Sequence, residues 1–277
     1  MRKINFIILL IIILISTEFI FGQTLNCNKS NLTEYYLGAN LGLNDFHSRD
    51  EYLSPNNYSG LIFSADILFH AKVKNILHEA EIYFSTGNPA TTAQSTEIKQ
   101  KIGSISYSFL YNFDQEKIYR SPLDVYLGAG VSSFVMNTDY FLNSDYGLGQ
   151  YTDQSWYWSH SINLLLAGVY SINEKNSLTM HLSIPLVSLI SRPSNGHWMD
   201  QKNLNIINNS FFNAAKGGNL EFFTDNFVIQ GLIQFSQKVS DKLSFNGTYR
   251  FNFVSSNEPL AMRTYMNTFM AGIEFAL

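Results

Sequence analysis

From Tyr35 onward the chain alternates apolar and polar residues with a period of two. Tyr35, Leu37, Ala39, Leu41 and Leu43 fall on one side, with Gly38, Asn40 and Gly42 on the other. The same alternation returns at Leu61–Phe69, Ile76–Phe84, Ile105–Phe113, Leu123–Val131 and Ile162–Ile172. It recurs at Leu178–Leu186, Phe227–Phe235, Leu243–Phe253 and Tyr265–Leu277. Period two is the signature of a strand whose two faces meet different surroundings, and the pattern predicts ten strands. No stretch after residue 30 is apolar for the ~20 residues that a spanning helix needs.

The connections alternate in length. Long ones are predicted near residues 45–57, 86–97, 137–155, 190–219 and 255–262. Short, charged ones fall at Lys72–Lys74, Asp114–Ser121, Asn173–Asn176 and Gln237–Lys242. Short turns at one end and long loops at the other predict an all-β, closed antiparallel up-and-down transmembrane β-barrel of about ten strands. Closure follows because lipid cannot satisfy a free sheet edge. A soluble sandwich shares the period, but the apolar side of all ten segments is almost free of charge. In water that side would form an apolar patch far beyond the tolerable size.

The first 22 residues read as an address. Arg2 and Lys3 precede the apolar run Phe6–Ile15, then Ser16, Thr17 and Glu18 lead to Gly22. A basic start, a short apolar centre and a small residue before the cut form a secretory signal peptide. Residues 1–22 are therefore expected to be cleaved, 23–32 to be a short periplasmic segment, and 33–277 to be the barrel. Cys27 raises a lipoprotein alternative, but Thr24-Leu25-Asn26 lacks the residues that lipoprotein processing requires.

Composition narrows the classes further. Charged residues make up 14% of the chain and aromatics 15%, against about 25% charged in ordinary soluble domains. A formal charge of −4 gives no electrostatic case for nucleic acid. A single Cys allows neither an internal disulfide nor a thiolate metal site, and no phosphate, zinc or calcium motif is present. No cofactor and no metal are expected.

The chain resembles the small single-domain outer-membrane β-barrels of bacteria, of the kind common in Bacteroidetes, over residues 33–277. The resemblance rests on the last segment, Thr264–Leu277, which looks like the C-terminal signal read by the barrel assembly machinery, although it ends in Leu277 with Phe275 two residues earlier. Phe113, Trp156, Trp158, Tyr170, Phe235, Phe253 and Tyr265 lie near strand ends, where interfacial girdles belong. The resemblance implies an outer-membrane location, contact with membrane lipid and lipopolysaccharide, and passage through the assembly machinery. An envelope protein partner is also expected, of unknown identity.

Candidate chemistry falls in three places. Inward positions include Asp66, Glu79, Glu81, His181, Arg250 and Glu274, with Asp66 expected roughly opposite Glu79 across a hairpin turning at 72–73. Two carboxylates that close repel unless a cation joins them, and Arg250 could reach them as a fork across the lumen. The longest loop offers Arg192, His197, Trp198 and Asp200 as ligand contacts. Lys99, Lys101 and Arg263 fall in the outward phase, where lipopolysaccharide phosphates would sit.

Two enzyme classes have partial signatures in the chain. His181-Leu182-Ser183 has the His-Ser spacing of outer-membrane phospholipases but lacks the Asn-Gly that follows the serine there, and it faces the lumen. Asp45-Phe46-His47 echoes one pair of the omptin proteases without the matching Asp-x-Asp. The expected role is structural, adhesive or partner-binding through the long loops. A narrow channel for ions or small solutes is the first alternative, and a lipid- or peptide-cleaving enzyme the second.

Overall fold

The structure is a computed structural model that describes residues 33–51, 54–91, 96–112, 123–143, 150–192, 218–222, 226–257 and 260–277. The signal-peptide and lipoprotein expectations lie outside these residues. Twelve strands are described: β1 Glu34–Asp50, β2 Ser54–Val73, β3 Ile76–Gly87, β4 Ala90–Thr91, β5 Thr96–Asn112, β6 Leu123–Asn143, β7 Gln150–Ser171, β8 Asn176–Ser191, β9 Asn219–Phe222, β10 Asn226–Lys238, β11 Leu243–Ser256 and β12 Met262–Ala276. Ten of them form the wall, with β4 and β9 as short additions paired to the outer parts of β2 and β8. Every wall strand is antiparallel to its chain neighbour, and β1 pairs with β12 from Tyr36↔Ala276 to Asp50↔Met262. The ring is closed. At this seam Gly42 and Gly272 let the two backbones approach: a Cβ on Gly42 would overlap the Phe269 carbonyl oxygen, and one on Gly272 would overlap that of Ala39.

Leu41, Leu61, Ile67, Ile82, Ile105, Leu166 and Phe269 stand exposed on the outer wall, as a lipid-facing belt requires. At one end tight turns join β2 to β3, β7 to β8 and β10 to β11, while the predicted turn at Asp114–Ser121 lies outside the described residues. Lys74 and Asn75 link β2 to β3, Lys74 adopting a positive φ of 56°. Asn173 closes β7–β8 by accepting the Lys175 and Asn176 N–H groups at 2.9 Å each.

The long connections differ from the sequence reading. β1 continues to Asp50 and β2 resumes at Ser54, while β6 runs to Asn143 and β7 starts at Gln150. Much of the predicted loop is therefore strand. A lipid span takes only ~9–11 residues, so strands of 17 to 22 residues carry the wall well past the belt. Period-two reading misses this because the pattern inverts there. On β1 the outward phase passes from Leu43 to Asp45, His47 and Arg49, while Phe46 is fully buried inside. On β5, Lys99 and Lys101 point out while Ile98 and Ile102 are buried. The membrane part is apolar outside; the extension is apolar inside, as in a water-soluble barrel.

Most of that inner face packs into one cluster, and Tyr58, Ile98 and Tyr140 form a smaller second one. Phe46, Ile62, Ile102, Phe134, Met136, Tyr157, Val254, Met262 and Met266 meet inside the barrel, each nearly or fully buried. Each such side chain contributes about 1.5–3 kcal/mol of burial, and the layer fills the lumen as small barrels do.

The β8–β10 ladder is interrupted. β8 pairs with β10 only from Asn176↔Gln237 to Ser183↔Gln230, then with β9 from Val187↔Phe222 onward. Pro185 lies in the gap and has no N–H to donate. The β7–β8 register also shifts there, between Ile162 and Asn163, as at a bulge.

Candidate functional site

Below the apolar layer the lumen holds a polar zone, with a smaller apolar cluster of Leu110, Tyr126 and Ala167 nearer the tight-turn end. The centre of the polar zone is Arg250 on β11, which the ring places across from β2 and β3. Arg250 Nη2 donates to Glu81 Oε1 and lies 3.5 Å from Asp66 Oδ2. Asp66 Oδ1 accepts Asn40 Nδ2 at 2.7 Å. The guanidinium also sits over Tyr83, 4.8 Å from the ring centroid. Asp66 and Arg250 are almost wholly buried, so the cation offsets two carboxylates where water cannot.

The other inward candidates gather in separate groups. Glu79 Oε2 accepts Ser108 Oγ at 3.1 Å and lies 3.3 Å from His181 Nδ1. Glu274 lies 3.9 Å from His70 Nδ1 and apart from the Arg250 cluster. The expected pairing of Asp66 with Glu79 is corrected: the hairpin turns at Lys74–Asn75, which sets Asp66 opposite Tyr83 and Glu79 opposite His70. The two-residue displacement of the turn accounts for the difference. His70, Ser108, Asn40 and Tyr83 were not singled out in the sequence, although all four share the inward phase.

A cavity of about 100 Å³ adjoins these groups. Its lining includes Glu79, Glu81, His181, Arg250, Asn252, Leu165 and Leu232.

The outer mouth holds a second buried pair. Asp50, at the end of β1, binds Arg192 Nη2 at 3.0 Å and accepts Ser155 Oγ at 3.1 Å. Arg192 Nη1 donates to the Leu260 carbonyl at 2.8 Å and faces Ser256 Oγ at 3.3 Å. Arg192 therefore ties β1, β8 and the β11–β12 connection together. It is not presented as a loop ligand contact, because its side chain is only 3% exposed. His197, Trp198 and Asp200 lie outside the described residues, as does Phe113.

Lys99, Lys101 and Arg263 are exposed on the outer wall above the belt. Lys101 lies 3.8 Å from Asp139, and Arg263 sits directly opposite Arg49 in the β1–β12 ladder. Trp156 and Trp158 share that outward phase yet are buried, their indole N–H groups donating to Ser191 Oγ and Asn137 Oδ1. The two hydrolase-like spacings fall on different surfaces. His181 and Ser183 line the luminal cavity. Asp45 and His47, 3.0 Å apart, are half exposed on the outside of the wall, not in a cleft.

Among solved structures the chain is similar to the outer membrane protease OmpT from Escherichia coli. That match has a TM-score of 0.52 and 11% identity, and covers 92% of this chain and 99% of the other. The fold is that of an outer-membrane β-barrel. The barrel also matches the translocator domain of the autotransporter NalP from Neisseria meningitidis, with a TM-score of 0.48, 10% identity, and coverage of 92% and 91%. A third match is Ail, the attachment invasion locus protein of Yersinia pestis, with a TM-score of 0.37, 6% identity, and coverage of 88% and 99%. No protein-family profile and no curated protein matches the chain. At such identities the likeness carries the fold and nothing about activity.

Proposed function

We propose that the protein is a non-conducting bacterial outer-membrane barrel, not an enzyme, that holds a rigid extension above the membrane for adhesion or partner binding through its long connections. One observation carries this reading: the apolar cluster around Phe46, Phe134, Tyr157 and Met266 fills the lumen in that extension. An ion path would need a continuous polar lumen, and this layer interrupts it. The mouth pair Asp50–Arg192 adds a second tie above the layer. The reading includes export by the signal peptide, insertion by the barrel assembly machinery, and kinship with the Bacteroidetes-type small barrels, each resting on the sequence. Lipopolysaccharide phosphates would meet Lys99, Lys101 and Arg263 on the outer wall.

The test joins two measurements on the full chain. Refolded protein in planar bilayers is expected to show no stepwise conductance. A bacterial strain displaying it is expected to be retained on immobilised glycans or matrix proteins, and to lose that retention when residues 193–217 are replaced by a short Gly-Ser link. Stepwise conductance by the wild-type chain, or retention that survives the loop replacement, would overturn the reading.

A further inference from the structure

Between β8 and β10 the wall loses both its pairing and its register. Toward β8 the β10 ladder stops at Ser183↔Gln230, while toward β11 it runs on to Asn226↔Ser256. Continued in register, Val187 would face Asn226; it faces Phe222 of β9 instead. β9 and β10 are both antiparallel to β8, and among the described residues no ladder joins the two. Pro185 has no N–H to give. On the other flank β8 shifts register against β7 between Ile162 and Asn163. A sheet edge that lacks a neighbour is costly beside lipid, so the wall is weakest at this seam.

A second lapse shows the difference. Toward β3, the pairing of β2 stops at Phe63↔Thr86 and returns at Ser59↔Ala90 of β4, in the same register. The chains stay close there, since a Cβ on Gly87 would overlap the Ile62 side chain.

The β8–β10 seam lies at the upper margin of the lipid belt. Leu164, opposite Ile184, and Leu186 are exposed on the outer wall. Ile229 stands opposite Phe253, whose ring stacks on Tyr265 at 4.7 Å. Behind the seam lie Val228 and Ile190, both buried, in the same apolar cluster as Met262, Met266 and Met270. Unbranched thioether side chains adapt readily to a changed neighbour. The polar side chains beside the seam are already engaged. Asn226 accepts the Tyr157 hydroxyl at 2.6 Å, Ser188 and Ser161 lie 2.7 Å apart, and Glu221 is partnered as well. An opening here offers an apolar surface, reached from the membrane and not from water.

We propose that the wall opens laterally between β8 and β10 at the level of the outer leaflet, and that an uncharged, lipid-dissolved apolar molecule enters there against Val228, Ile190 and the methionines of β12. The proposal goes beyond the adhesion reading and does not depend on it.

The test uses the full-length barrel refolded into phosphatidylcholine vesicles, with Cys27→Ser as background and one cysteine placed in the apolar layer. Val228→Cys stands behind the β8–β10 seam, Ile62→Cys behind the lapse at β2, and Ile102→Cys behind unbroken ladders. Pyrenylmaleimide dissolved in the lipid is expected to label Val228→Cys at least tenfold faster than either other position. A sulfonated maleimide in the water should label all three slowly. Amide exchange on the unmutated chain needs no variant. The amides of Ile184, Leu186 and Asn226–Ile229 that point across the seam should exchange at least tenfold faster than those of Tyr265–Thr268, which continuous ladders hold on both sides. If Val228→Cys does not fold, this exchange decides. Equal labelling at the three positions, faster labelling of Val228→Cys from water than from lipid, or equal protection of the two sets of amides would overturn the proposal.

Discussion

At the scale of single residues, Arg250 is the group whose removal should be felt most. Its guanidinium is shared by Asp66 and Glu81 inside the barrel, and deleting one partner of a buried ionic cluster costs about 3–5 kcal/mol. Arg250→Ala should therefore lower the temperature at which the folded gel band converts. The cause is the two carboxylates left behind, not the missing side chain volume. The combined change Arg250→Met, Asp66→Asn and Glu81→Gln removes all three charges, and it should recover most of the loss. If Arg250→Ala converts at the wild-type temperature, the cluster contributes nothing to the fold. Arg250 was visible in the sequence as a lone inward arginine. Its partnership with Glu81 was not, because that depends on closure bringing β11 across from β3.

At the scale of elements, the β2–β3 hairpin shows how a turn sets a register. Lys74 holds a left-handed conformation, φ 56°, in a two-residue link where glycine or asparagine is usual. A side chain in that region costs of order 1 kcal/mol. Lys74→Gly should remove the strain and stabilise the barrel by a few tenths to about 1 kcal/mol, the loss of chain entropy offsetting part of the gain. Urea unfolding followed by tryptophan fluorescence would measure it, and a destabilised variant would show that Lys74 holds the turn by other contacts. The strands themselves were legible wherever lipid lies outside, since Leu41, Phe63, Ile105 and Phe269 keep a strict period of two. The parts beyond the belt were not. There both faces mix polar and apolar residues, so Asp45 and His47 read as loop although they continue β1. The β8 interruption had one visible signal, Pro185, which cannot donate to a ladder.

At the scale of the whole molecule, two barrels of opposite polarity are stacked in one wall, and the level at which they meet fixes how deep the protein sits. On β1 that level lies between Leu43 and Asp45; on β2, the partner of Leu43 is Phe63 and the partner of His47 is Ser59. Outward cations should therefore be punished below it and tolerated above it. A lysine on the lipid face near the bilayer midplane costs about 2–4 kcal/mol, falling to nearly nothing at the interface. Ile67→Lys is expected to reach that range, measured as the shift in urea midpoint for folding into lipid vesicles. Ser59→Lys on the same strand should leave the midpoint within experimental error, because its side chain already meets water. Inward substitutions should show the reverse order. Phe46→Ser, in the apolar layer, should cost several kcal/mol, whereas Ser64→Ala, in the polar layer, should cost about 1 kcal/mol for its bonds to Ser85 and Tyr83. Equal penalties at positions 59 and 67 would mean that lipid covers the full length of the strands. The inner apolar layer would then lie within the membrane and not above it.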